Sequence, residues 1–134
     1  MVEKKVYIVG GVILVLLLVV VILIILGPRE VQLTDADNGK TIELKKGQVS
    51  RITLAANPTT GYTWEVVEGD EKVVRQLGEI AFKPESEALG AGGVQIIRLE
   101  VVNTGQTTLK LVYHRPWETD VEPLKTFSLT IKVL

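Results

Sequence analysis

His114 is the only histidine among the 134 residues, and there is no cysteine. That removes most groups from which proteins build nucleophiles and proton shuttles. Without cysteine there are no disulfides, no thiol catalysis and no thiolate metal sites. Ser50, Ser86 and Ser128 fall on strand-like runs or in an acidic segment, so a Ser–His–acid arrangement has no loop for its nucleophile. Thr59 and Thr60 have no base nearby in sequence to activate them. His114 with Glu118, Asp120 and Glu122 matches no recognised metal spacing. The histidine reads as structural and the acids as a solvated loop. The chain therefore reads as a non-enzyme that uses no metal, no cofactor and no small-molecule substrate.

The remaining chemistry is that of binding, and it lies in three short segments. In Asn57-Pro58-Thr59-Thr60-Gly61-Tyr62, the proline fixes its own φ and pushes Asn57 toward extended geometry, while Gly61 can supply a positive φ. Thr59 and Thr60 are stiff at χ1 and form a rigid tip that displays hydroxyls and backbone amides. Pro58 also disqualifies Asn57 as a glycosylation acceptor. Gly90-Ala91-Gly92-Gly93 has no side chain large enough to keep a partner's backbone away, which suits main-chain contact. Arg115-Pro116-Trp117 places an aromatic and a cation beside a rigid proline, and Trp and Arg dominate interface hot spots.

These segments need a frame, and the alternation of apolar and polar residues after Arg29 supplies one. Candidate strands are 31–34 with 41–44 taken as one interrupted strand, then 49–55, 62–67, 79–83, 94–102, 108–114 and 124–133. The last three are the clearest, with Ile97, Leu99, Val101, Leu109, Leu111, Tyr113, Phe127, Leu129, Ile131 and Val133 on one face. Residues 71–78 read as a short helix or an irregular connection. Seven short strands without a convincing amphipathic helix predict an all-β, immunoglobulin-like two-sheet sandwich, with Trp64 in its core. If successive strands run antiparallel, the links at 57–61, 84–93 and 115–123 emerge at one end. The polar turns at 45–48, 68–70 and 103–106 emerge at the other.

Residues 6–26 are uncharged and almost entirely Val, Ile and Leu apart from Gly10 and Gly11. A helix needs about 20 apolar residues to cross a membrane. A cleaved signal has a shorter apolar region ending in small residues, whereas this run ends in Ile24-Ile25-Leu26. It reads as an uncleaved signal anchor. Lys4 and Lys5 precede it and Arg29 follows, which puts residues 1–5 in the cytoplasm and the domain outside. Residues 27–30 form a linker and 31–134 the folded domain. Beyond residue 29 the chain carries 12 bases and 15 acids, without the basic face that nucleic acid requires. The first strand is expected to start at the end of the three unusual links, which would hold that edge near the membrane unless 27–38 act as a spacer.

Taken together, the segments at Asn57–Tyr62, Gly90–Gly93 and Arg115–Trp117 resemble, in order and spacing, the three loop motifs of chagasin-type inhibitors of papain-like cysteine peptidases. The resemblance covers essentially the whole domain after the apolar run. It implies a reversible, tight-binding inhibitor whose loops wedge into the active-site cleft. Thr59 and Thr60 would approach the catalytic cysteine and histidine, residues 90–93 would run along the substrate side, and Trp117 would pack on the leaving-group side. Arg115 and Pro116 would anchor the third loop. A membrane-anchored adhesion or assembly module is the alternative, but it gives no reason for three such motifs on one edge.

Overall fold

The computed structural model describes residues 2–26 and 30–134, with side chains in the first segment described for 9–21. Helix α1 spans Val2–Leu26, and its described side chains are all exposed. Among the described residues no helix is long and apolar enough to cross a membrane. The ends of the expected span, 6–8 and 22–26, lie outside the described side chains, and 27–29 of the expected linker lie outside the described residues.

The domain holds nine strands: β1 Glu30–Thr34, β2 Thr41–Leu44, β3 Val49–Ala56, β4 Thr63–Glu68, β5 Val74–Gln76, β6 Ala81–Pro84, β7 Gly93–Val101, β8 Gly105–His114 and β9 Lys125–Val133. One sheet has the order β1-β3-β7-β5, with β6 also paired to β7, and the other has the order β2-β9-β8-β4. The expected two-sheet β architecture is present. Inward residues of both sheets, among them Ile52, Leu54, Ile97, Leu99, Leu109, Leu111, Phe127, Leu129 and Ile131, form one core. Burying each such side chain contributes roughly 1.5–3 kcal/mol. Trp64 is 3% exposed and belongs to this core, as its strand position predicts. Among the described residues, the core members all fall between Leu33 and Val133 and none comes from α1.

Two readings of the sequence need correction. The segment 71–78 is neither helix nor wholly irregular, because Val74–Gln76 adds β5 to the edge of the first sheet beside β7. Three residues are too few for periodicity to register. The more consequential difference concerns 31–44, which is not one strand. β1 pairs parallel with β3 from Glu30↔Val49 to Thr34↔Thr53, whereas β2 pairs parallel with β9 in the other sheet, from Thr41↔Thr130 to Leu44↔Val133. The chain reverses between them, so β1 begins at the end opposite the three loops. These parallel edges also depart from an all-antiparallel immunoglobulin sandwich.

The reversal is built by Asp35–Asp37, a single 3-10 turn. The Thr34 hydroxyl accepts from the Ala36 amide at 3.3 Å, and the Asp37 carboxylate accepts from the Thr34 amide at 2.9 Å. This reciprocal cap satisfies amides that the turn leaves free. The turn also clips the sheets together. Asp35 accepts from the Ala55 amide of β3, while Asn38 accepts from the Ser128 amide of β9.

The Thr34 amide, helped by Lys40, holds the Asp37 carboxyl below its usual range. A lowered native pKa means that the stabilisation is present above the usual carboxylate range and is lost as pH falls through the native value. Asp37→Ala should cost about 1 kcal/mol at neutral pH, or a melting shift of about 4–8 °C. Thermal melts of the two proteins should converge as pH falls well below about 4. A difference independent of pH would rule out this role for the carboxylate.

Candidate functional site

Segments 57–62, 85–92 and 115–124 connect β3 to β4, β6 to β7 and β8 to β9, and all three emerge at one end of the sandwich. This is the arrangement expected from alternation. Three hydrogen bonds, one buried and two part-buried, set their spacing. The Trp64 indole N–H of β4 donates to the Ala55 carbonyl of β3 at 3.0 Å. Gln95, 5% exposed on β7, accepts from the Trp64 amide at 2.8 Å and donates to the Thr63 hydroxyl at 2.9 Å. These bonds hold the two sheets at a fixed separation beneath the loops.

Within the first loop, Pro58–Thr60 form one 3-10 turn and Gly61 closes it in the left-handed region at φ +87°. Both threonines are exposed, but their hydroxyls do not point their hydrogens outward. Thr59 Oγ1 donates to Asn57 Oδ1 at 2.5 Å, and Thr60 Oγ1 donates to the Asn57 carbonyl at 2.6 Å. Each hydroxyl has one hydrogen and two lone pairs. A partner therefore meets acceptors here, where the sequence alone left donor and acceptor undecided.

Asn57 is the hub of this edge. Its amide donates to the Tyr113 hydroxyl at 2.8 Å, and its side-chain Nδ2 donates to the Gly90 carbonyl at 3.2 Å. The second of these ties the first loop to the second. The third loop is tied in by Arg115, whose Nε donates to the Thr60 carbonyl at 3.0 Å and whose Nη1 pairs with Glu118 at 3.1 Å. The same guanidinium lies 4.5 Å from the centre of the Tyr62 ring. Tyr62 stacks on Tyr113 at 5.4 Å, and Tyr113 meets Trp64 at 5.1 Å. An aromatic column therefore runs from the core to the loop edge, with Arg115 on top.

Trp117 is 68% exposed, as its loop position predicts, yet the outer edge of its six-membered ring comes up against Gly61. A Cβ at residue 61 would overlap Trp117 Cη2 and lie 3.0 Å from Cζ2. Gly61 is thus required both for its φ and for the seat it gives the indole. Pro116 is exposed beside it.

The glycine run divides in two. Gly90, Ala91 and Gly92 lie on the loop, with Gly90 at φ +74° and open space around it. Gly93 is buried as the first residue of β7, where a Cβ would overlap the Lys83 carbonyl oxygen and lie 2.8 Å from Pro84 Cα. It serves the pairing of β6 with β7 rather than an external surface. Tyr113 and Gln95 are the contributors that sequence reasoning missed. Tyr113 was legible as an inward strand residue, but its hydroxyl's partner was not.

His114, the last residue of β8 and the partner of Thr63 at the loop end, bonds Glu65 at 2.7 Å and takes no part in the hydrogen bonds around Thr59 and Thr60. Among the described residues no group of three His, Cys, Asp or Glu side chains could hold a metal ion.

Residues 43–131 match the chagasin family of peptidase inhibitors, group I42. The chain belongs to the chagasin family. Amoebiasin-1 of Entamoeba histolytica is 35% identical over 103 residues, covering 77% of this chain and 99% of the relative. Chagasin of Trypanosoma cruzi is 30% identical over 105 residues, covering 75% and 96%. Among solved structures, that of the cysteine protease inhibitor EhICP2 from Entamoeba histolytica superposes with a TM-score of 0.69 at 28% identity, covering 81% of this chain and all of that one. Members of the chagasin family are peptidase inhibitors, and this chain is an inhibitor rather than an enzyme. The matched segment contains all three loops.

Proposed function

We propose that this edge inhibits papain-like cysteine peptidases by occluding the active-site cleft, reversibly and without a covalent bond. The observation that carries the reading is the mutual locking of the three loops: Asn57 to Gly90, Arg115 to Thr60, and Trp117 against Gly61. An edge already held in one shape loses little conformational entropy on docking, so more of the contact energy appears as affinity. An adhesion or assembly module would have no need of such locking.

Thr59 and Thr60 form the central tip, facing the catalytic cysteine and histidine. Their hydroxyl hydrogens are committed to Asn57, so they offer lone pairs to a donor. In a papain-like thiolate–imidazolium pair the donor is the imidazolium, which fits, whereas the thiolate would be repelled. Residues 90–92 supply main-chain contacts on one flank. Trp117 supplies an aromatic anchor on the other, with Arg115 and Pro116 fixing its loop.

Residues 30–134 contain every core member among the described residues and are used for the test. With papain and a fluorogenic substrate, this domain should inhibit competitively, at nanomolar concentration as is usual for tight peptidase–inhibitor pairs. Activity should return on dilution. Absence of inhibition, or inhibition that dilution does not reverse, would sink the proposal.

The second component of the reading is an anchor. α1 has 25 residues, about 38 Å of helix, and the uncharged run at 6–26 lies within it. Lys4 and Lys5 on its N-terminal side favour a cytoplasmic N-terminus and an extracytoplasmic inhibitor domain.

A further inference from the structure

We propose that the inhibitor is mounted base-down, with its three loops turned away from the bilayer toward peptidases free in the surrounding medium. This inference rests on the anchor reading and adds to it the direction in which the site faces. The deciding observation is the parallel pairing of β1 with β3. β3 runs toward the loop end, finishing at Ala56 beside Gly93. β1 runs the same way and starts with Glu30 against Val49, at the base. The chain thus enters the domain at the end farthest from Thr59, Gly90 and Trp117.

Chain length leaves little freedom to undo this. From Leu26, the last helical residue, to Glu30 there are four Cα steps, which reach at most about 15 Å. Part of that reach is used crossing the headgroup layer, roughly 5–7 Å on each face. Glu30 is already paired in register, and its carboxylate lies 3.4 Å from Arg98 Nε, so β1 contributes no slack. The sandwich is as tall as β8, ten residues, or roughly 30 Å. Turning the loops onto the membrane would lift Glu30 about that far from the surface, roughly twice the reach of the link.

Where the facing leaflet is anionic, charge acts in the same direction. The second and third loops carry Glu85, Glu87, Glu118, Asp120 and Glu122 against Arg115, while the base end balances Lys45, Lys46 and Lys72 against Glu68, Asp70 and Glu71. An anionic headgroup layer repels the first set and is indifferent to the second. A peptidase embedded in the headgroup layer would therefore be out of reach, and one in solution would meet the loops unobstructed.

The absence of cysteine makes an introduced one a unique label. The full chain carrying Lys46→Cys at the base, or Glu87→Cys in the second loop, would be donor-labelled and reconstituted in vesicles containing a headgroup-labelled acceptor lipid. Both positions are exposed. Energy transfer should be several-fold greater from the base label than from the loop label. Equal transfer, or the reverse order, overturns the mounting while leaving the anchor intact. Failure of the full chain to float with the vesicles, where residues 30–134 alone also stay behind, removes the anchor reading and this inference with it.

Discussion

Gly61→Ala is expected to cost the domain most of its inhibition of papain while leaving it folded. Two separate effects meet at this residue. Alanine in the left-handed region costs about 1–2 kcal/mol, and its methyl group would occupy the space of the Trp117 ring. Core packing does not depend on the site, since Gly61 is only half-buried and outside the core cluster. The indole must therefore leave its seat, and the Thr59–Thr60 tip must shift with the backbone. Loss of a central aromatic anchor is typically worth about 2–4 kcal/mol, an increase of about 30- to 1,000-fold in the inhibition constant.

A double-mutant cycle separates the causes. Trp117→Ala alone should produce a loss of similar size by removing the anchor. Adding Gly61→Ala to it should then cost far less than in the wild type, because no indole is left to displace. If the two losses simply add, Gly61 does not act through Trp117. If Gly61→Ala stays within about twofold of wild type, the third loop is not a hot spot at all.

The sequence made the loops legible because their chemistry is local. Pro58 and Gly61 announce a turn with one positive φ, and Gly61 adopts it. Alternation in 94–102, 108–114 and 124–133 located β7, β8 and β9 to within one to three residues, because each strand buries one face only. From these followed the clustering of three links at one end. What failed was the direction of β1. Val31 and Leu33 alternate in the same phase whichever way the strand runs, so periodicity carries no information about direction. The signal that does carry it is Thr34-Asp35-Ala36-Asp37-Asn38-Gly39, a cap and turn able to reverse the chain, and it was passed over as an interruption.

A second kind of information is absent from sequence for a different reason. Asn57 and Arg115 were read as part of the peptidase-facing edge, with Arg115 also anchoring the third loop. The structure spends much of their hydrogen-bonding capacity inside the molecule, on Tyr113, Gly90, Thr59 and Thr60. Whether a loop side chain faces a partner or braces a neighbouring loop depends on pairings between residues 33 to 56 positions apart. No local pattern encodes them.

That distinction makes Asn57 the second decisive position. Asn57→Ala removes the bond to Gly90 and the acceptor for Thr59, but keeps the backbone bonds to Tyr113 and Thr60. The site is near the surface, so stability should fall by only about 1 kcal/mol. Inhibition should fall much further, about 10- to 100-fold, because the first two loops no longer share a shape and the Thr59 hydroxyl can turn its hydrogen toward the peptidase. Asn57→Asp discriminates between these routes. It retains an acceptor for Thr59 and lacks the donor for the Gly90 carbonyl, so it should recover only that portion of the loss that comes from the threonine. Amide exchange at Ala91 and Gly92 should quicken in both variants of the free inhibitor. If inhibition falls while exchange in the second loop is unchanged, Asn57 does not brace that loop, and the loss runs through the Thr59 hydroxyl or through a contact of Asn57 with the enzyme.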